Sequence, residues 1–101
     1  MGKKRILDSL SVIKKKSIPV LKKRAVKRAS IFGSFARGEA KFSSDVDILI
    51  EYKSKTKTLF DLIDLKSELE SALDRKVDLM TYKSIYHTLR KKILSEQVVI
   101  L

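Results

Sequence analysis

Cysteine is absent from the 101-residue chain. That removes disulfides and thiolate metal sites together. Histidine occurs once, at position 87, so no histidine-built metal site is expected. Asparagine is missing, glutamine occurs once and lysine is abundant, a balance found in thermophilic proteins. No apolar run approaches the roughly 20 residues that a bilayer crossing needs. The charged first five residues are followed by no uninterrupted apolar signal region. The expectation is a soluble, cytoplasmic protein with no membrane contact. The length allows one domain, residues 1–101, with one core and no separate substrate domain.

What is present is positive charge, unevenly placed. The net charge is +11. Residues 1–28 hold eleven Lys or Arg and one acid, so that segment alone carries +10. Such a block can attract nucleic acid, an acidic partner or anionic lipid, or can simply be a solvated helix face.

Periodicity divides the chain into short elements. Residues 3–16 are expected to form a helix, with Ile6, Leu10 and Ile13 on one stripe. Pro19 is expected to end or interrupt it. Residues 25–32 read as a strand running into Gly33-Ser34, followed by a short helix that Gly38 stops. Residues 45–52 form the clearest strand, with Val46, Ile48, Ile50 and Tyr52 opposite Asp45, Asp47, Leu49 and Glu51. Thr58 and Asp61 have capping-box spacing. They open a helix marked by Leu59, Leu62, Ile63, Leu69 and Leu73. Residues 76–81 alternate as a strand, and 84–94 read as a final helix with Ile85, Leu89 and Ile93 in line. The apolar tail, 98–101, adds a strand, packs on the core or docks on another chain, which leaves a homo-oligomer open. The order predicts an α+β domain: a small mixed sheet with flanking helices.

Asp45 and Asp47, one residue apart on a strand, leave the same face. Carboxylates that close repel unless something positive lies between them. A hard divalent cation such as Mg²⁺ meets that need and keeps positions for water and phosphate. Asp78 lies on the next strand. If the two strands pair in register it completes a three-carboxylate cluster, able to hold two metals roughly 3.5–4 Å apart. Gly33 lets the backbone approach a phosphate closely. Ser34 adds a hydroxyl, and Arg37, one turn later, adds a fork of donors. Each residue also has a plainer reading. Ser34 could be a helix cap, Arg37 could pair with Glu39, and Asp78 could face solvent. Ser44 reads as a turn or cap residue and His87 as a surface or packing histidine. Phe32, Phe35 and Phe42 read as core, though one could stack on a base.

Residues 33–47, Gly-Ser-Phe-Ala-Arg-Gly-Glu-Ala-Lys-Phe-Ser-Ser-Asp-Val-Asp, resemble the signature of the DNA polymerase beta-like nucleotidyltransferases. More narrowly, they resemble the minimal nucleotidyltransferases, or MNT proteins. The resemblance implies a polymerase beta palm-like fold. It implies Asp45, Asp47 and Asp78 as catalytic metal ligands, Asp78 helping to activate the attacking hydroxyl. It implies Gly33 and Ser34 as phosphate-binding residues, with Mg²⁺ as cofactor and ATP as substrate. MNT proteins as a class resemble antitoxins that adenylylate a tyrosine on a HEPN-domain toxin. The expected partner is therefore a HEPN protein, and the apolar tail and the basic block are its expected contact surfaces. The rival readings are a non-catalytic binding antitoxin, a nucleic-acid-binding module acting through residues 1–28, and an antibiotic adenylyltransferase.

Overall fold

A computed structural model describes residues 10–41, 43–85 and 87–101. The first part of the expected N-terminal helix, including Ile6, lies outside them, as does Phe42. The described helix, α1, is Leu10–Lys23. It runs through Pro19 instead of ending there. Proline removes one backbone donor and crowds the carbonyl four residues earlier. Here Pro19 and Lys15 are both exposed, so the freed carbonyl faces water. The opposite face, Ile13, Ser17 and Leu21, is fully buried, and the packing of Ile13 and Leu21 holds the helix together across the break.

After α1 the chain turns at Ala25, in the left-handed region at φ 60°, and enters β1, Val26–Phe32. Then follow α2 (Gly33–Arg37), β2 (Val46–Tyr52), α3 (Leu59–Leu73) and β3 (Val77–Thr81). A 3₁₀ turn, Tyr82–Ser84, leads to α4 (His87–Glu96) and β4 (Val98–Val99). The four strands form one mixed sheet in the order β3-β2-β1-β4. β1 is antiparallel to both neighbours, and β2 is parallel to β3.

One sheet face carries the main core. Ile31, Val46, Ile48, Ile50 and Val77 meet Leu65, Leu69 and Leu73 of α3 and Ile13 and Leu21 of α1. Arg24 and Lys23 pin the end of α1 to Glu68 of α3 at 2.7 and 3.3 Å. The other face carries a smaller cluster, in which Leu49, Tyr82 and Ile85 are joined by Phe32, Met80, Ile93 and Leu94. Leu49 is thus buried on the side the alternation assigned to polar residues, because the 3₁₀ turn and α4 cover that side.

The capping box is present, with Thr58 N–H donating to Asp61 Oδ2 at 2.8 Å. Two expected core positions of α3 are not in the core. Leu59 and Ile63 are 69% and 53% exposed, and Phe60 beside them is 78% exposed. The buried stripe is Leu65, Leu69 and Leu73, with Leu62 partly buried. At 100° per residue, Ile63 lies roughly 100° round the helix from that stripe and Phe60 roughly on its opposite side. Leu89 of α4 is also half exposed. The tail is consumed by the fold: Val98 and Val99 pair with Ile31 and Ser30, and Ile100 is buried in the main core. Among the described residues, no helix is long and apolar enough to cross a membrane.

Candidate active site

β1 ends at Phe32, whose register partner on β2 is Asp47. Asp47 in turn stands beside Asp78 of β3. One row across the sheet therefore reads Phe32, Asp47, Asp78, and the next residue after Phe32 is Gly33. Asp45 lies just ahead of β2. The parallel register brings Asp78 to Asp47 as the sequence required. Glu70 helps to hold it, because its carboxylate accepts the Val77 N–H at 2.9 Å and anchors the start of β3.

Gly33 has φ 72°, and a Cβ built on it would collide with Asp47 Oδ2. The missing side chain makes room for the aspartate. Ser34 lies in the first turn of α2, and the cap position before that helix is Phe32, which makes no side-chain cap bond. Gly38, at φ 75°, closes α2 as expected.

Asp47 is half-buried, whereas Asp45 and Asp78 are exposed. Burial, then the charges of Asp78 and Asp45, push the Asp47 carboxyl up to about 6, against a smaller opposing pull from Arg37. Arg37 itself is engaged by two carboxylates, Glu39 at 2.9 Å and Glu96 at 3.3 Å. The plainer reading of Arg37, an ion pair with Glu39, is thus present. It reaches the site as a nearby positive charge. Ser44 serves a turn, its Oγ accepting the Lys41 N–H at 2.8 Å. His87 is exposed at the start of α4, Phe35 is buried and Phe32 packs on the smaller cluster.

A cleft of about 490 Å³ opens beside Asp45, lined by Ser43, Ser44, Asp74, Arg75 and Lys76. Sequence reasoning missed Arg75 and Lys76. Two bases immediately ahead of a strand carry no periodic signal, and only the parallel pairing brings them to Asp45. The Arg75 guanidinium also lies over the Phe35 ring, 5.3 Å from its centroid.

Among the described residues, no three His, Cys, Asp or Glu side chains close around a common point as a formed metal cage does. The carboxylates are near enough to repel without converging. The donor set is nevertheless all carboxylate oxygen, which suits a hard divalent cation. Burial is the main cause of the raised Asp47, and the charges of Asp78 and Asp45 add a part that such a cation would relieve.

Comparison with known proteins identifies the family. The family model described as polymerase beta, nucleotidyltransferase, matches residues 15–101. A Methanocaldococcus jannaschii protein with a provisional protein adenylyltransferase designation is 52% identical over 93 residues, covering 92% of this chain and 99% of its own. A solved toxin–antitoxin structure with AMP-PNP superposes with a TM-score of 0.76 at 26% identity, covering 87% of this chain and 72% of that one. A structure of a tri-AMPylated Shewanella oneidensis HEPN toxin with its MNT antitoxin shares the fold, with a TM-score of 0.70 at 22% identity, over 90% and 71% of the two chains. With its strand-end aspartates, its glycine turn and a match over most of its length, the chain belongs to the polymerase beta nucleotidyltransferase family.

Proposed function

We propose that this protein transfers AMP from ATP to a tyrosine hydroxyl of a HEPN-domain toxin and thereby silences it. The observation that carries the reading is the row in which Asp47 and Asp78 stand in register beside the Gly33 turn. The relatives named for protein adenylylation and the toxin–antitoxin complexes of the same fold support the acceptor class.

Asp45, Asp47 and Asp78 would hold Mg²⁺, which when bound neutralises charge on the α-phosphate and on the leaving pyrophosphate. The backbone at Gly33-Ser34 and the Ser34 hydroxyl hold the triphosphate. Arg75 and Lys76 line the cleft beside Asp45 and add positive charge there. Asp78, the more exposed of the paired carboxylates, accepts the proton of the attacking hydroxyl. The hydroxyl oxygen bonds to the α-phosphorus as the bond to the bridging oxygen of the β-phosphate breaks, and pyrophosphate leaves.

The test is incubation with α-labelled ATP, Mg²⁺ and a HEPN toxin encoded beside this protein, with the labelled residue found by mass spectrometry. Label is expected on a toxin tyrosine. Asp45→Ala and Asp47→Ala are each expected to lower transfer at least about 100-fold with the fold intact. Toxin neutralised without any label would show a binding antitoxin instead. Full activity in either variant under limiting metal would remove the site assignment.

A further inference from the structure

The chain's positive charge gathers where the sequence did not place it. At the end of β2 remote from Asp47, a second cleft of about 440 Å³ opens over the central strands β1 and β2. Lys27 and Arg28 reach it from β1, and Lys53, Lys55 and Lys57 from the loop after β2. Lys83 and Arg90 close it from the far side. Only two of these seven belong to the basic block of residues 1–28. The later segment, nearly neutral when counted along the chain, contributes the other five.

The single acid lining the cleft is Glu51, and it is already taken by Arg28 at 2.6 Å. Among the described residues, Lys27, Lys53, Lys55 and Lys83 make no ion pair. Elsewhere on the surface, Glu68, Glu39 and Glu96 are all paired. A solvated lysine face spreads its charges over a convex surface. Here seven cations share one concavity with a single counter-charge, Glu51, which raises the local potential. The walls are held firmly. The Arg28 guanidinium lies 4.1 Å above the Tyr82 ring, and Arg90 donates to the Tyr82 carbonyl at 2.8 Å. From Asp47 to Tyr52 is five residues of strand, roughly 17 Å, so this cleft is separate from the transfer site.

We propose that this cleft binds the phosphodiester backbone of a single-stranded nucleic acid. The concave shape and the cation density suit a chain of phosphates entering lengthwise. A cleft of this volume takes a short stretch of one strand, not the width of a duplex. A membrane surface would need apolar side chains beside the cations, and the exposed ones of α3, Leu59, Phe60 and Ile63, do not line the cleft.

The experiment is fluorescence anisotropy of a labelled single strand of roughly 15 nucleotides, without ATP or partner, between about 50 and about 200 mM KCl. The wild-type protein is expected to bind with a steep salt dependence. The triple variant Lys53→Glu, Lys55→Glu, Lys83→Glu is expected to bind at least about tenfold more weakly. Its log–log salt slope should be lower by roughly 2, as three lost contacts at about 0.7 each require. The triple alanine variant at the same positions should weaken binding in the same direction. A charge-matched control, Lys14→Glu, Lys15→Glu, Lys16→Glu on the exposed face of α1, should lose less than about threefold at the same ionic strengths. Four results would each overturn the proposal: no binding by the wild type, equal loss in the control, tighter binding of a duplex, or competition by polyglutamate as effective as that by the nucleic acid. Adenylyl transfer is measured separately with the variants at Lys53, Lys55 and Lys83 and is expected to be unchanged, so the two readings stand or fall apart.

Discussion

Burial and two neighbouring carboxylates push the Asp47 carboxyl to about 6, and that shift has two consequences of opposite use. A cation must displace the proton that Asp47 holds below this value. Mg²⁺ affinity and adenylyl transfer are therefore expected to rise with pH through about 6 and level off above it, as paired titration and rate profiles would record. The stability consequence runs the other way. A carboxyl whose folded pKa is raised favours the fold while protonated, and that contribution is lost as pH rises from the ordinary aspartate range through about 6. Without metal, Asp47→Asn should therefore stabilise the protein at pH 7 by about 1–2 kcal/mol, allowing for screening of a half-exposed group. Urea unfolding of both proteins at acid and neutral pH checks this, and the difference should vanish near pH 4. Gly33 belongs to the same argument. Gly33→Ala meets both a positive φ and the Asp47 carboxylate, so a loss of about 2–4 kcal/mol with collapse of activity is expected. Gly38→Ala has the same φ problem but open space around it, so about 1 kcal/mol and retained activity are expected. Denaturant midpoints for the pair separate collision from backbone strain.

Among the elements, α1 departs furthest from its sequence pattern. Over the described residues 10–16 the apolar stripe and the helix agree, but the rule for proline stopped it too soon. Burial of Ile13 and Leu21 on one face outweighs one missing hydrogen bond on the wet face. Pro19→Ala should restore that bond and raise stability by about 1–3 kcal/mol. A rise in thermal midpoint at constant activity is the expected reading, and a fall would mean that the proline sets a bend on which packing against α3 depends. β2 and β3 were legible because each opens with apolar residues alternating with an aspartate, and the capping box placed the start of α3 to the residue. The exposure of Leu59, Phe60 and Ile63 was not legible. Composition alone cannot separate a wide apolar face from a narrow one whose flank is left in water.

At the scale of the whole molecule, the sheet sorts the site from the core by face and by end. The pair Asp47–Asp78 was readable as a hypothesis and needed only the parallel register to bring it together. Arg75, Lys76 and the seven cations of the second cleft were not readable, because they come from segments that meet only after the chain folds. The tail is the remaining case, since its four apolar residues allowed a strand, a core segment or a docking strip. Val98 and Val99 take the edge beside β1, and three backbone bonds tie the end down: Ile100 N–H and Leu101 N–H donate to the Ala29 carbonyl at 2.9 and 3.2 Å, and Ala29 N–H donates to the Leu101 carbonyl at 3.0 Å. Ile100 is 4% exposed and Val99 is 64% exposed. If the tail is a core segment, Ile100→Ala leaves a cavity and should cost about 2–4 kcal/mol. Val99→Ala, one residue earlier, should stay within about 0.5 kcal/mol. Chemical denaturation of the isolated protein measures both. Equal, small effects would return the tail to the role of a docking strip, whose loss would then appear only in the affinity for the proposed partner.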